Sequence, residues 1–231
     1  MAYEYLEVER DGNVAMVTLN RPDKRNALSI AVRDELDACV GEFEADDSVS
    51  VIVLLTNGKV YCAGFDTSEF MDRSPEHVQA MDESSERYHR RFAECTKPIV
   101  TGVQGPAMGG GFDLAVLCDI RIASKEAVFA HPEIKFGAPV LFGPLREIVG
   151  GGPARDLCLT GRKIDADEAY RIGLVSKVVE PDTLRQICLD FAKQIAEAPM
   201  KTLQNVKGQI VRSYGGWEPQ GGSGGLFDNM K

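Results

Sequence analysis

Two acidic residues and a run of glycines are the groups in this sequence that could do chemistry. Gly109, Gly110 and Gly111 follow an apolar segment with the pattern of a strand and precede one with the pattern of a helix. Glycines at such a junction let a ligand approach the backbone, and a helix N-terminus offers unpaired N–H groups to a negative oxygen. Asp113 lies one turn inside the predicted helix, and Glu133 follows in a second such junction. N–H donors beside two acid/base candidates predict chemistry on a carbonyl group.

A second glycine segment, residues 62–66, also follows a predicted strand. Gly64 can bring the backbone close to a ligand, and the Phe65 N–H would then point outward. A glycine after a strand usually marks a plain turn. This segment therefore gains a specific meaning only in combination with the run at 109–111.

Strands and helices alternate through about residue 130, which predicts an α/β fold with parallel pairing. Residues 3–8 and 14–19 have the pattern of a hairpin around Asp11-Gly12-Asn13. Buried strands are predicted at 51–55, 98–103 and 118–123, and helices at 29–44, 75–94 and 112–118.

The pattern changes after about residue 145, where successive helices are predicted at 154–159, 165–172, 181–197 and 200–214. The segment Gly150-Gly151-Gly152-Pro153 is expected to break the chain before them. We therefore predict a core at residues 1–145, a helical region at 146–214 and a flexible, glycine-rich tail at 215–231.

The composition excludes several classes of function. The formal net charge is −9, from 26 basic and 35 acidic residues, which argues against binding nucleic acid or an anionic membrane. Six dispersed cysteines in apolar runs predict buried free thiols in a reducing compartment. No signal peptide or membrane span is apparent, so a cytoplasmic location is expected.

The sequence predicts no metal site. Its three histidines, His77, His89 and His131, show no ligand spacing. His131 adjoins Glu133 and is interpreted as a structural histidine.

Several motifs occur together in one order and resemble the crotonase superfamily, the enoyl-CoA hydratase/isomerase family. The similar segments are residues 20–28, 62–66, 105–115, 118–123 and 129–133, followed by 159–162, 166–169 and 173–175. The resemblance extends over roughly residues 3–210.

The resemblance implies an α/β fold of the crotonase type, a spiral of ββα repeats followed by a C-terminal helical trimerisation region. The implied substrate is an acyl-CoA thioester, and the implied assembly is a homotrimer or hexamer. The thioester oxygen would accept hydrogen bonds from the N–H groups of Phe65 and Gly110. Glu133 and Asp113 fall on the positions of the family's two catalytic carboxylates, twenty residues apart.

The resemblance also implies where coenzyme A and the acyl group bind. No cofactor is implied beyond the coenzyme A that is part of the substrate. The expected coenzyme A contacts lie in the first loop and around the second glycine segment: Lys24, Arg25, Ala27, Ala63, Gly64 and Asp66. The expected acyl pocket comprises Phe112, Pro139, Leu141 and Phe142.

Hydration of an α,β-unsaturated acyl-CoA is the predicted reaction, and two alternatives stay open. Asp113 is one methylene shorter than the glutamate that many hydratases of this family carry. Some dienoyl-CoA isomerases of the family use aspartate there, but they carry another aspartate eight residues after the glutamate, where this chain has Leu141. A double-bond isomerase is the first alternative, and a catalytically silent acyl-CoA-binding protein is the second.

Overall fold

The computed structural model describes residues 3–213, so the predicted tail lies outside the described residues. Strands and helices are numbered in chain order. The larger of two sheets has six strands: β1 (Leu6–Asp11), β2 (Val14–Leu19), β3 (Val51–Thr56), β4 (Ile99–Val103), β6 (Ile120–Ser124) and β9 (Lys177–Val179). Their spatial order is β1-β2-β3-β4-β6-β9. Only the β1–β2 pair is antiparallel, which confirms the predicted hairpin and parallel pairing.

A smaller sheet, which the sequence analysis missed, ends beside the glycine run. It contains β5 (Pro106–Met108), β7 (Val128–Ala130) and β8 (Ile164–Asp165). Strands of two or three residues are too short to show an alternating pattern. β5 leads directly into Gly109 and β7 into His131, so this sheet brings the two candidate segments side by side.

Eight α-helices surround the sheets in the described chain: α1 (Ile30–Ala45), α2 (Pro75–Glu94), α3 (Gly110–Leu117), α4 (Phe142–Val149), α5 (Gly151–Thr160), α6 (Ala166–Arg171), α7 (Leu184–Ala196) and α8 (Met200–Ser213). Ser29 and Ser74 cap α1 and α2 by accepting hydrogen bonds from the Val32 and His77 N–H groups. Both helix starts agree with the sequence predictions.

The break in the helical chain predicted at residues 150–153 is shorter in the structure. Only Gly150, with φ of 78°, separates α4 from α5, and Gly151, Gly152 and Pro153 form the first turn of α5. Proline is tolerated there because first-turn N–H groups have no partner within the helix. The predicted boundary at 145 falls inside α4, a helix that the sequence analysis did not predict.

The core lies on both faces of the larger sheet. One face packs against α7 through apolar residues such as Val53, Val100 and Cys188. The other face joins the main core, which includes α1, α2 and all of α3 from Gly111 onward. All six cysteines are buried and free, as predicted. Within residues 3–213, no helix combines the length and apolarity that a bilayer crossing requires.

Candidate active site

The two glycine segments lie against each other. Cys62 forms an isolated β-bridge with Ala107, and backbone hydrogen bonds of 3.2 and 2.9 Å connect Cys62 to Pro106 and Met108. A Cβ added to Gly64 would lie 3.4 Å from the Gly110 nitrogen. Residues that are more than forty positions apart in sequence thus form one backbone surface.

The N–H groups of Phe65 and Gly110 are available to an external acceptor. Neither donates to another group within residues 3–213. Gly110 begins α3, so its N–H has no acceptor inside the helix and lies at the positive end of the helix dipole. Two free backbone donors on one surface can hold a negative oxygen.

At Gly109 and Gly111 there is a second reason for glycine, because a side chain at either position would meet neighbouring atoms too closely. Gly109 has φ of 54°, and a Cβ there would lie 3.0 Å from Glu133 Oε2. A Cβ on Gly111 would collide with the Cys62 carbonyl group and lie 2.7 Å from the Cys62 Cβ. The run therefore lets the carboxylate and the second glycine segment approach the backbone closely.

We expect Gly111→Ala to destabilise the fold by roughly 1–3 kcal/mol, because the Cys62 backbone must move to admit the methyl group. Thermal denaturation monitored by circular dichroism measures this as a Tm several degrees lower. Gly143→Ala is the matched control, since a Cβ at Gly143 in α4 would meet nothing within 4 Å. An equal Tm for Gly111→Ala and the control would contradict the close contact.

His131 lies between the two candidate carboxylates. Asp113 is in the first turn of α3, whereas Glu133 is in a 3-10 turn that directly follows His131. The His131 Nδ1 is 2.9 Å from Glu133 Oε1, and its Nε2 is 3.8 Å from Asp113 Oδ1. His131 is fully buried and its ring stacks on Phe112 at 4.5 Å between centroids. The imidazole is thereby fixed with one nitrogen toward each carboxylate.

The surroundings shift the ionisation of Asp113 and His131. Burial, with a further contribution from the Glu133 charge, raises the pKa of Asp113 to about 7. The nearby imidazole and a backbone hydrogen bond from Leu141 oppose this rise. Burial alone would lower the pKa of His131, but the Asp113 charge and the hydrogen bond and charge of Glu133 give a net rise.

Each of these three side chains keeps one buried polar atom without a hydrogen-bond partner in the described chain: Asp113 Oδ1, His131 Nε2 and Glu133 Oε2. Buried polar atoms normally have partners, so three orphans together indicate a place for a ligand or a water. A ligand atom from each residue lies within 4.8 Å of the others. Oxygens that far apart can both hydrogen-bond one water molecule.

The same three side chains are the group within residues 3–213 whose ligand atoms are close enough to hold a metal ion. However, His131 presents different nitrogens to the two carboxylates. The Nδ1 and Glu133 Oε1 already satisfy each other by a 2.9 Å hydrogen bond without an ion. The geometry favours an acid/base site over a metal site.

The predicted coenzyme A residues lie around the joined loops. Lys24 and Arg25 are exposed, and the Arg25 carbonyl accepts a 3.0 Å hydrogen bond from the Ala63 N–H. Ala27 is buried beside them, and the following residue, Leu28, donates to the Gly64 carbonyl at 2.8 Å. The two loops thus form one edge of the site.

Asp66 is engaged with protein groups. Its carboxylate pairs with Arg21 at 2.7 Å and accepts hydrogen bonds from the N–H and hydroxyl of Ser68. The side chain therefore joins the first loop to the second, and a contact with coenzyme A stays a prediction.

The predicted acyl-pocket residues differ in exposure. Leu141 is buried and donates a backbone hydrogen bond to Asp113, and Phe142 packs half-buried on the core. Pro139 is exposed. Phe112 is fully buried behind His131, so it supports the imidazole.

Two residues that the structure places here, His131 and Arg33, were not predicted from the sequence as site residues. His131 was interpreted as structural, although it contacts both carboxylates. Arg33 is fully buried, lies over the Phe65 ring at 4.7 Å and donates to the Leu28 carbonyl at 2.8 Å. A charged residue between Val32 and Leu36, on the apolar side of a predicted helix, was the available signal for Arg33.

Comparisons with known proteins agree on one family. The family model described as enoyl-CoA hydratase/isomerase matches residues 9–221. A probable enoyl-CoA hydratase of Rhizobium meliloti is 41% identical over 216 residues, which cover 92% of this chain and 83% of the relative. A short-chain-enoyl-CoA hydratase of Clostridium acetobutylicum is 40% identical over 198 residues, covering 84% and 76% of the two chains.

Solved structures agree with the sequence comparisons. An enoyl-CoA hydratase/isomerase from Xanthobacter autotrophicus Py2 superimposes with a TM-score of 0.85 at 31% identity, covering 92% of this chain and 80% of that one. An enoyl-CoA hydratase from Mycobacterium tuberculosis H37Rv gives a TM-score of 0.79 at 34% identity, covering 91% and 90%.

Proposed function

Because the chain belongs to the enoyl-CoA hydratase/isomerase family, we propose that it adds water across the double bond of an α,β-unsaturated acyl-CoA thioester. The observation that carries the proposal is the pair of carboxylates, Asp113 and Glu133, beside the two free N–H groups of Phe65 and Gly110. Membership confirms the family resemblance, and the structural matches confirm the crotonase-type α/β fold that it implied.

The proposed reaction uses the two parts of the site separately. Water adds its oxygen to the β-carbon as Asp113 accepts its proton, and the negative charge moves to the thioester oxygen. The N–H groups of Phe65 and Gly110 stabilise that oxygen, and loss of one such donor in comparable sites costs about 3–4 kcal/mol. Glu133, protonated at the start of the cycle, delivers its proton to the α-carbon, which completes the addition of one water. The proton held by Asp113 then returns to Glu133 through solvent and restores both groups.

The environment of Asp113 suits the role of a base. A general base works best when its pKa is close to the operating pH, and burial raises the pKa of Asp113 to about 7. The buried Oδ1 without a partner would accept the hydrogen bond from the reacting water. A side chain shorter than glutamate still lies within 4.8 Å of the other members of the group.

The test is incubation with crotonyl-CoA, followed by mass spectrometry of the acyl-CoA pool. Hydration adds the mass of one water, and incubation in H₂¹⁸O should place the heavy isotope in the product. A 3-enoyl-CoA that is converted without a change of mass would instead indicate a double-bond isomerase. Binding of acyl-CoA without turnover of either substrate would indicate a silent binding protein.

Lys24 and Arg25 are the proposed contacts for the phosphates of coenzyme A. Both side chains are exposed at the edge of the loop that joins the Phe65 segment. In a chain with net charge −9, a local basic pair is the feature that favours an anionic ligand there.

A homotrimer, or a hexamer built from trimers, is the proposed assembly, and the cytoplasm the proposed location. The helical C-terminal region exposes large apolar side chains on α5, α6 and α8: Leu159, Tyr170, Val206 and Ile210. Such residues favour burial between subunits. Light scattering coupled to gel filtration measures the assembly, and a monomer at micromolar concentration would contradict it.

A further inference from the structure

We propose that His131 is a positioning residue whose imidazolium bridges Asp113 and Glu133, fixing both side chains and favouring the ionised form of Asp113. The inference rests on the proposed function only for the roles of the two carboxylates. It goes beyond that function by assigning a task to a third side chain.

The distances from His131 to the two carboxyl groups are the first evidence for the bridge. The Nδ1 of His131 lies 2.9 Å from Glu133 Oε1, within hydrogen-bond distance, and its Nε2 faces Asp113 Oδ1 at 3.8 Å. A neutral imidazole has one N–H and could donate toward only one carboxylate. An imidazolium has two, so it can donate to Glu133 and present a positive charge to Asp113 at once.

Packing fixes the bridge. His131 is fully buried and stacks on the fully buried Phe112 with ring planes 26° apart. The His131 carbonyl lies 2.6 Å from where a Cβ on Gly161 would be, so the α5 end closes over its backbone. The ring therefore has little freedom to leave either carboxylate.

Among the described residues packed against the imidazole, only the two carboxyl groups can contribute charge near pH 7. Asp113 faces it from α3 and Glu133 from the following 3-10 turn. Two thiols lie near the carboxylates, Cys62 beside the glycine run and Cys158 on α5. Burial raises the pKa of Cys62 to about 12 and of Cys158 to about 11, so both stay neutral near pH 7.

Electrostatics supplies the reason for a cation at this place. Two carboxylates in one buried site repel each other, so one of them keeps a proton to higher pH. The positive ring lets Asp113 ionise near neutral pH, where a base must be unprotonated. The net rise in the pKa of His131, in spite of its burial, agrees with this role.

Nuclear magnetic resonance of ¹⁵N-histidine-labelled protein tests the bridge without substrate. We expect the His131 ring to be doubly protonated at pH 7. In Asp113→Asn, which removes a negative neighbour, its titration midpoint should move to lower pH. A singly protonated His131 from pH 6 to 8, or a midpoint that this substitution does not move, overturns the proposal.

Kinetics provide the second readout. In His131→Gln, whose amide can still donate to Glu133, we expect the acidic limb of the kcat/KM profile for crotonyl-CoA to move up by about one pH unit. The loss of activity should be larger at pH 6 than at pH 8.5. His77→Gln, on the partly exposed side of α2, is the matched control and should retain the wild-type profile.

A loss of activity in His131→Gln that is the same at every pH overturns the proposal, because a purely structural role gives that result. The two experiments also separate this inference from the proposed function. If the wild-type protein does not hydrate crotonyl-CoA but the resonance results hold, the proposed function fails and the bridge stands.

Discussion

Glu133→Gln should lower kcat for crotonyl-CoA hydration by about 1,000-fold or more, since general acid–base groups contribute roughly 10²–10⁴-fold. Glutamine keeps the shape of the side chain and can still contact His131, but it cannot deliver a proton to the α-carbon. The N–H groups of Phe65 and Gly110 are unaffected, so binding of the thioester should change little. Steady-state kinetics and isothermal titration with a non-reactive saturated acyl-CoA measure the two quantities separately.

Glu126→Gln is a suitable control for that substitution, because this acid lies on an exposed turn between β6 and β7. It should leave both kcat and binding at wild-type values. Near-normal turnover in Glu133→Gln would remove Glu133 from the chemistry. A parallel loss of acyl-CoA affinity would instead assign it to binding.

Asp113→Asn should have opposite effects on activity and stability. Asparagine cannot accept the proton of the reacting water, so kcat should fall by about 100-fold or more. It also removes a carboxylate that is costly to ionise in a buried position. The protein should therefore become more stable at alkaline pH while it becomes less active.

The pH dependence of this stabilisation follows from the shift in the pKa of Asp113 from 3.8 to about 7. Below pH 4 the carboxyl group is protonated in both the folded and the unfolded state, so aspartate and asparagine should differ little. As the pH rises from 4 to 7, the unfolded chain releases its proton while the folded protein retains it, and wild-type stability falls. Above pH 7 the folded protein carries the full cost.

The size of the effect is bounded by the shift. At about 1.4 kcal/mol per pKa unit, the shift corresponds to at most about 4 kcal/mol. We expect Asp113→Asn to raise the free energy of unfolding by about 2–4 kcal/mol at pH 8.5 and by under about 1 kcal/mol at pH 4. Urea denaturation at the two pH values measures the difference. A gain of equal size at both would show that ionisation of Asp113 is not its cause.

Features with strong local patterns could be predicted from the sequence. The apolar run at 51–55 became β3, in which all six residues are buried, and the caps at Ser29 and Ser74 fixed the starts of α1 and α2. The short strands β5, β7 and β8 could not be predicted, because they exist through pairing between distant segments. Helix α4 was not predicted because its first residues, from Phe142, include Gly143 and Pro144, which weaken a helical pattern.

The residues of the candidate site also divide into those that a sequence pattern identifies and those that it does not. Motif order and residue type led to Glu133, Asp113 and the two glycine segments. The place of His131 depends on which nitrogen meets which carboxylate, and that of Arg33 depends on packing against Phe65. Neither relation has a sequence signature, because both join residues on different elements.

The bridge between Cys62 and Ala107 determines when the two glycine segments lose their conformational freedom. Backbone hydrogen bonds fix the two loops to each other within the fold, and the Leu28 bridge fixes Phe65 from the other side. The entropy of ordering these segments is therefore lost once, when the chain folds, and not in each encounter with a substrate. In the proposed reaction, the two N–H donors would keep their orientation while the thioester oxygen gains charge, so the loops would need no rearrangement between one turnover and the next.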